Sequence, residues 1–234
     1  IWPRFKMWLK LRLRYSKFHA VFMVNERGRQ NFLRNTSAID PSHVIVVHNP
    51  VVDEVFFEKI KQEPAHPWLR KKTCPTFVVA GSFDSNKGHL MLIRAIEQVS
   101  KTDPIRLVIY GRGELESDYR AYISAHGLED VVSVGGFTDN LPAELKAADC
   151  FLLGSREESF GIVIVEALAA GTPVISTDAY AGPREVLDNG KYGVLVPVGN
   201  VDEMANAIRN FLCSPRPVIP EESWMRYTNE RSAD

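Results

Sequence analysis

Short apolar runs alternate with helix-length stretches of mixed polarity from Thr76 to the end of the chain. The apolar runs predict strands at 76–80, 106–110, 131–134, 150–153, 173–176 and 194–196. The stretches between and after them predict helices at 89–100, 115–126, 142–148, 162–170, 184–187 and 202–212. The strands are apolar throughout rather than alternating, which is typical of a parallel sheet covered on both faces. This pattern predicts an α/β fold with a doubly wound parallel sheet, in which ligands bind at the carboxyl ends of the strands.

The residues ahead of this sheet predict a different organisation. An apolar run at 44–48 predicts one more strand, and helical patterns occur at 6–14 and 26–34. These segments are too short for a core of their own, and the chain begins at Ile1 rather than Met, so we expect a piece of a longer protein. The predicted segments are the remnant of a preceding domain at 1–50, a polar linker at 51–73, a Rossmann-like domain at 74–213 and a C-terminal tail at 214–234.

The charge balance argues against a nucleic-acid-binding protein. The chain has 28 Lys and Arg residues against 29 Asp and Glu, a formal net charge of −1 at pH 7, whereas such proteins are usually basic. Residues 1–19 differ because they combine aromatic and leucine side chains with six basic residues and no acid. Two interpretations stay open: an amphipathic helix in peripheral contact with anionic lipid, or a helix whose apolar side belongs to the preceding domain. The basic residues are Arg4, Lys6, Lys10, Arg12, Arg14 and Lys17.

Cysteine and histidine usage indicates neither a disulfide framework nor a metal site. The cysteines at 74, 150 and 213 are odd in number and far apart, which favours the reducing cytoplasm. The six histidines are scattered, and no two have the i, i+4 spacing of helical metal ligands. No stretch approaches the roughly 18 to 20 uninterrupted apolar residues that a membrane-spanning helix needs.

The most informative segment runs from Gly154 to Ser176. A polar loop containing Glu158 precedes a helix that is apolar all round except at Glu166, so this helix and its carboxylate are predicted to be largely buried. A buried carboxylate requires donors, which ligand hydroxyls such as a ribose diol would supply, although a structural ion pair to a neighbouring strand fits equally well. The backbone N–H groups of 159–161 lie at the helix start, which favours anions.

Other glycine-containing loops follow the predicted strands. Lys87, in the loop that begins Gly81-Ser82, could reach a diphosphate, although an exposed loop lysine is the simpler interpretation when this loop is taken alone. Arg112 lies between two glycines after the second strand of the sheet, and Phe137 follows the third. Neither signal is specific by itself, since such turns are common.

The segment 158–174 resembles the Glu-x7-Glu signature of glycosyltransferase family 4, whose usual form is Glu-Gly-Phe-Gly, an apolar run, then Glu-Ala-x-Ala-x-Gly-x-Pro-Val. The resemblance covers roughly 44–212 and implies that Glu158 contacts the donor sugar and Glu166 the ribose. The loop 81–88 is similar to the family's Gly-Arg-x4-Lys-Gly motif, which implies a diphosphate ligand at Lys87. Ser82 stands where the family usually has Arg, and Ser159 where it usually has Gly.

The resemblance implies a GT-B-type retaining glycosyltransferase of the cytoplasm that makes polysaccharides or glycoconjugates. It would move a sugar from a nucleotide diphosphate, with UDP favoured, to a glycan or lipid-linked acceptor without a cofactor or metal, and the isolated chain would turn over slowly. Lys87 and Glu158 are the predicted catalytic residues. The remaining predicted donor-site residues are Gly81, Ser82, Arg112, Phe137, Ser159, Phe160, Gly161, Ile162 and Glu166. A non-catalytic nucleotide-sugar-binding module and a related sugar phosphorylase remain as alternatives.

Overall fold

Ten short strands occur in the computed structural model, which describes residues 18–36 and 39–228. Most of the basic segment 1–19, together with the helix predicted at 6–14, lies outside the described residues. The strands are β1 (Val21–Met23), β2 (Val44–Val46), β3 (Thr76–Ala80), β4 (Arg106–Tyr110), β5 (Val132–Gly136), β6 (Cys150–Leu153), β7 (Glu157–Glu158), β8 (Val174–Thr177), β9 (Tyr180–Ala181) and β10 (Val194–Val196).

Six of these strands form one parallel sheet in the spatial order β10-β8-β6-β3-β4-β5. The predicted α/β class with a doubly wound parallel sheet is confirmed. Strand order reverses between β3 and β6, because β3 pairs with β4 on one side and with β6 on the other. Such a reversal leaves a crevice outside the carboxyl ends of the two strands, where ligands bind in sheets of this kind.

Helices cover both faces of the sheet. They are α1 (Glu26–Asn35), α2 (Glu54–Lys59), α3 (Pro67–Arg70), α4 (His89–Ser100), α5 (Glu116–Ala125), α6 (Leu141–Ala147), α7 (Ile162–Ala169), α8 (Gly182–Val186) and α9 (Val201–Cys213). Apolar side chains of α4, α5 and α9 form the core on one face. Those of α6, α7 and α8 form the core on the other face, together with Phe56, Leu69 and Tyr227. The sheet is therefore buried on both sides, as its continuously apolar strands require.

The segments outside the sheet are more ordered than their polar composition indicated. The predicted linker 51–73 contains α2 and α3, each anchored by one buried apolar side chain, Phe56 and Leu69. The tail also returns to the domain, because Tyr227 is fully buried and its carbonyl accepts from the backbone N–H of Val51 at 2.8 Å. Isolated apolar residues in polar sequence thus attach both segments to the core. In the described part of the chain, none of the helices is long and apolar enough to cross a membrane.

The described residues up to Asn49 form a small unit of their own, the N-terminal unit. Strands β1 and β2 pair in parallel, with Val21 opposite Val44, and α1 runs between them in sequence. Asn25 caps α1 by accepting a hydrogen bond from the backbone N–H of Gly28. This unit rests on the loops at the carboxyl edge of the sheet, and it forms one wall of the crevice.

Candidate functional site

Two loops flank the reversal point of the sheet and touch each other through their backbones. One follows β3 and ends at Gly88, and the other follows β6 and begins at Gly154. Gly88 has φ of 66°, and a Cβ at this position would lie 2.0 Å from the Gly154 carbonyl oxygen. Only glycine fits here, because a side chain would both strain the backbone and separate the loops.

Asn86 joins the same two loops by side-chain hydrogen bonds. Its Nδ2 donates to the Glu157 carbonyl at 2.9 Å, and its Oδ1 accepts from the Glu157 N–H at 3.0 Å. The Asn86 carbonyl accepts from the Arg156 N–H at 2.7 Å. These three bonds fix the position of Glu158 relative to Lys87. Sequence reasoning missed Asn86, since a loop asparagine is usually a local turn residue.

Lys87 and Glu158 form an ion pair across the two loops. The Lys87 Nζ lies 2.6 Å from Glu158 Oε2, and the two side chains are 24% and 16% exposed. Ser155 Oγ donates to the same oxygen at 3.5 Å. An ammonium has three donors, so Lys87 can keep this contact and still donate to a phosphate. The structure thus brings together the two residues that were predicted to be catalytic.

The start of α7 opens into the same cleft. Gly161 precedes the helix with φ of 91°, and no side chain of the described residues caps the helix start. The first N–H groups of a helix have no acceptor within it, and they carry partial positive charge. The terminus therefore offers donors to an anion near Lys87. Ile162, in the first turn, is half exposed, whereas the following residues Ile164 and Val165 are buried.

Glu166 lies farther along α7, on the cleft side of an otherwise apolar helix. Burial raises the pKa of this carboxyl to about 7, and the ammonium of Lys59 opposes part of the rise. No side chain within 18–36 and 39–228 donates a hydrogen bond to it. Glu166 lines the cleft and is not fully buried, so a ligand can reach its carboxylate. Hydroxyl groups of a ligand would supply the hydrogen bonds that the protein does not donate to it.

The ammonium of Lys59, in the segment that was predicted to be a linker, acts electrostatically on Glu166, although Lys59 does not line the cleft. Its Nζ donates to the Asp139 carbonyl at 3.2 Å, and its own carbonyl accepts from Asn140 Nδ2 at 3.1 Å. Asn140 in turn caps α6, whose first residue, Leu141, lines the cleft beside Glu166. Neither the Glu-x7-Glu segment nor the loop 81–88 pointed to Lys59, because its role depends on how the chain folds back over the domain.

The cleft has a volume of about 450 Å³, within the range of small-molecule sites. Of the predicted residues, Gly81, Lys87, Glu158, Ser159, Phe160, Gly161, Ile162 and Glu166 line it. Val24, Asn49, Ala80, Leu141, Leu153 and Val163 complete the lining and were not predicted. Val24 and Asn49 come from the N-terminal unit, so both parts of the chain contribute walls.

Ser82, Arg112 and Phe137 lie outside this lining. The Ser82 hydroxyl donates to the carboxylate of Asp84, and that bond, with the N–H groups of Lys87 and Asn86, holds the pKa of Asp84 below its usual value. The Arg112 guanidinium lies 4.4 Å from the centre of the exposed Phe137 ring. Phe137 instead lines a neighbouring pocket of about 420 Å³.

A buried histidine supports the loop that contains Ser82. His89 is 1% exposed, and its Nε2 lies 3.1 Å from the Ser82 carbonyl. Burial lowers the pKa of His89 to about 4, so the ring is neutral at physiological pH. Because a carbonyl only accepts, Nε2 carries the proton and donates it. The loop 81–88 is thus held by the hydrogen bond from His89 to Ser82 and by the bonds of Asn86 to Glu157.

The described residues contain no cluster of three or more His, Cys, Asp or Glu side chains that could hold a metal ion. Positive charge in the cleft comes instead from Lys87 and from the start of α7, and the ammonium of Lys59 acts on Glu166 from outside the lining. This arrangement suits a ligand that has an anionic centre and hydroxyl groups some distance away.

Comparison with known proteins identifies the family. The pattern that defines the glycosyl transferases group 1 family matches residues 61–231. The chain belongs to this family. The match includes both loops at the reversal point and all of α7, although it begins after the N-terminal unit.

Two curated relatives and one solved structure illustrate the range of similar proteins. The Campylobacter jejuni N-acetylgalactosamine-N,N'-diacetylbacillosaminyl-diphospho-undecaprenol 4-alpha-N-acetylgalactosaminyltransferase is 30% identical over 201 residues, covering 86% of this chain and 52% of that protein. The Mycobacterium leprae phosphatidyl-myo-inositol mannosyltransferase is 38% identical over 138 residues, 57% of this chain and 36% of that protein. The pneumococcal O-GlcNAc transferase GtfA, solved with UDP and GlcNAc, superposes with a TM-score of 0.71 at 19% identity, covering 93% of this chain and 43% of that one. The chain thus spans about half the length, or less, of these relatives.

Proposed function

We propose that this chain is the donor-binding half of a retaining glycosyltransferase of family 4 that uses a nucleotide-diphosphate sugar, with UDP the favoured nucleotide. The observation that carries the proposal is the shared cleft of Lys87, Glu158, the uncapped start of α7 and Glu166. Membership of the glycosyl transferases group 1 family supports it, and so does the UDP in a structure of the same fold.

Each group in the cleft has a role in the proposed reaction. The diphosphate would bind Lys87 and the N–H groups at the start of α7, which stabilise the charge that grows on the leaving group. Glu158, fixed by Asn86, would orient the sugar hydroxyls. The ribose diol would donate to Glu166.

Nothing in this scheme requires a metal. We therefore expect sugar transfer to continue after treatment with EDTA, whereas loss of activity would contradict this part of the proposal.

The acceptor in the proposed reaction is a glycan or a lipid-linked sugar. The names of two relatives specify acceptors on diphospho-undecaprenol and on phosphatidyl-inositol, which supports the lipid-linked class. Peripheral contact with the cytoplasmic face of a membrane through residues 1–19 belongs to the same proposal. Vesicle co-sedimentation with and without anionic lipid tests it, and binding that does not depend on lipid charge would argue against it.

Calorimetric titration with UDP tests the donor site. We expect saturable binding to the wild-type chain and at least about tenfold weaker binding for Lys87→Ala and for Glu166→Ala, since each removes a contact to a charged group. Lys101→Ala is a matched control, because its side chain is 68% exposed and lies outside the cleft. Failure of UDP, GDP and ADP to bind would exclude the donor site.

A binding module without turnover is the second candidate. It is favoured by Ser82, whose hydroxyl is engaged with Asp84 at a position where the family usually has a charged fork for the diphosphate. Tight UDP binding without sugar transfer or donor hydrolysis, in the longest form of the protein that can be produced, would establish this candidate instead.

A further inference from the structure

A second cleft lies between α1 and the segment 180–189. Its volume is about 650 Å³, larger than that of the donor cleft. Three arginines line it: Arg27 and Arg34 from α1, and Arg184 from the opposite wall. Residues seven apart lie on one helical face, so Arg27 and Arg34 project toward the same wall.

The second cleft adjoins the donor cleft along Glu158. Strands β7 and β9 pair in parallel, which places Glu158 opposite Ala181, a lining residue of the second cleft. Asn25 donates to the Ser159 carbonyl and holds α1 against the same loop. Its neighbours Val24 and Glu26 line the donor cleft and the second cleft respectively. A ligand in the second cleft would therefore lie next to the strand that contains Glu158.

The acidic side chains of the second cleft are already engaged. Glu26 Oε1 accepts from Arg29 and from Gln30, both at 3.2 Å. Glu185 accepts from the Glu26 N–H at 2.9 Å and contacts His48 at 3.2 Å. Asp178, which does not line the cleft, accepts from two nitrogens of Arg184.

The arginines retain free donors. The guanidinium carbon of Arg27 lies 4.8 Å from the centre of the Tyr180 ring, and the guanidinium makes no hydrogen bond to another residue of 18–36 and 39–228. Arg34 has no partner among residues 18–36 and 39–228. Planar guanidinium groups bind phosphate oxygens in pairs, and stacking on an aromatic ring orients them for it.

We propose that this cleft binds the phosphate or diphosphate group of an acceptor ester, with Arg27 and Arg34 as its main ligands. The inference rests on the proposed glycosyl transfer and adds to it a binding site on this chain for the anionic carrier of the acceptor sugar. The acceptor sugar would then lie beside Glu158. The phosphate group would lie between Arg27 and Arg34, which are about two helical turns apart on α1 and outside the lining of the donor cleft.

Calorimetry on the UDP-saturated chain tests this site without interference from Lys87. The probes are geranyl diphosphate, a short water-soluble ester, and inorganic pyrophosphate. We expect the ester to bind one site per chain, and Arg27→Gln/Arg34→Gln to weaken it by at least about tenfold while UDP affinity stays unchanged. Lys61→Gln/Lys101→Gln removes the same charge from exposed positions and should alter ester binding by no more than about twofold.

Two results would overturn the inference: no ester binding to the UDP-saturated chain, or an equal loss of ester affinity in the control variant. If inorganic pyrophosphate binds and the ester does not, the cleft is a site for a free anion. If UDP itself fails to bind, the proposed function fails separately. The ester is then titrated into the ligand-free chain, where dependence on Arg27 and Arg34 supports the anion site and independence excludes it.

Discussion

At the scale of single residues, Glu166 shows how burial prepares a carboxylate for a ligand. Its pKa is raised to about 7 by burial, with Lys59 acting in the opposite direction. The folded chain therefore favours the protonated form as the pH falls below 7, whereas a ribose diol binds best to an ionised acceptor. Binding of the ligand and ionisation of Glu166 must then be linked.

The linkage predicts a pH dependence of UDP affinity. We expect affinity to increase as the pH rises from 6 to 8, with a component centred near 7 that Glu166→Gln removes. The terminal phosphate of UDP, with a pKa of about 6, adds a separate component that persists in the variant. Calorimetric titrations at several pH values measure both. An unchanged pH profile in Glu166→Gln would exclude the proposed ribose contact.

Lys59 offers an independent test of the same carboxylate. Removing its ammonium by Lys59→Met should raise the Glu166 pKa further, so the component of UDP binding near pH 7 should shift to higher pH. Lys59→Arg should largely restore the wild-type profile, since it keeps the charge. Lys61→Met serves as the control, because Lys61 is 65% exposed and pairs with Glu58. A profile that moves equally in both methionine variants would contradict the role of Lys59.

At the scale of elements, the backbone contact between the loops after β3 and β6 determines the shape of the site. Gly88→Ala should destabilise the protein by at least about 1 kcal/mol more than Gly127→Ala, because both residues have positive φ but only Gly88 meets another backbone. Urea unfolding of the two variants measures the difference, with Gly127→Ala supplying the conformational cost alone. Equal destabilisation would show that the loops separate at little cost.

The Asn86 bridge predicts a loss of binding without a large loss of stability. Asn86→Ala removes two hydrogen bonds to the Glu157 backbone, so Glu158 should become mobile and UDP should bind several-fold more weakly. Hydrogen exchange should accelerate at 154–158 and remain unchanged in β3. Asn206→Ala, on the exposed face of α9, is the control. Unaltered exchange in the loop would contradict the bridging role.

The strands and loops also show how much of the fold and of the candidate site the sequence could predict. Continuous apolar runs predicted all six strands of the large sheet within two residues at each end, and the Glu-x7-Glu segment predicted six of the fourteen residues that line the donor cleft. Strands β7 and β9, of two residues each, carry no periodicity to detect. The partners of Asn86 and Lys59 lie 71 and 80 positions away in the chain, and no local pattern reveals such pairs.

At the scale of the whole molecule, distant segments meet behind the donor cleft. The His48 ring contacts those of Tyr227 and Phe160, with ring centres 5.3 and 6.2 Å apart respectively. Glu185 accepts from the Glu26 N–H and contacts His48, and its own carbonyl accepts from Arg226 at 2.8 Å. The N-terminal unit, α8 and the tail are thus joined at one point, and this junction also positions both walls of the second cleft.

Ionisation of Glu185 determines the pH range in which its carboxylate stabilises the junction. Burial would raise its pKa, but the bonds from His48 and from the Glu26 N–H outweigh burial and hold the pKa below its usual 4.5. The ionised form therefore stabilises the junction above pH 4.5, and this contribution is lost as the pH falls through the lowered value. The contribution of the Glu185 carboxylate to docking of the N-terminal unit should therefore weaken only in acid.

Removing this carboxylate should loosen the N-terminal unit without unfolding the sheet. In Glu185→Ala the Glu26 N–H and His48 lose their acceptor, at a cost of about 1 to 3 kcal/mol, so hydrogen exchange at 21–46 should accelerate about tenfold or more while β3 and β4 stay protected. Glu222→Ala, which removes an exposed carboxylate paired with Lys191, should leave exchange unchanged. Equal acceleration in β3 and β4 would mean that the unit and the sheet unfold together. Because Val24 and Asn49 belong to the loosened unit and line the donor cleft, UDP affinity should fall in the same variant.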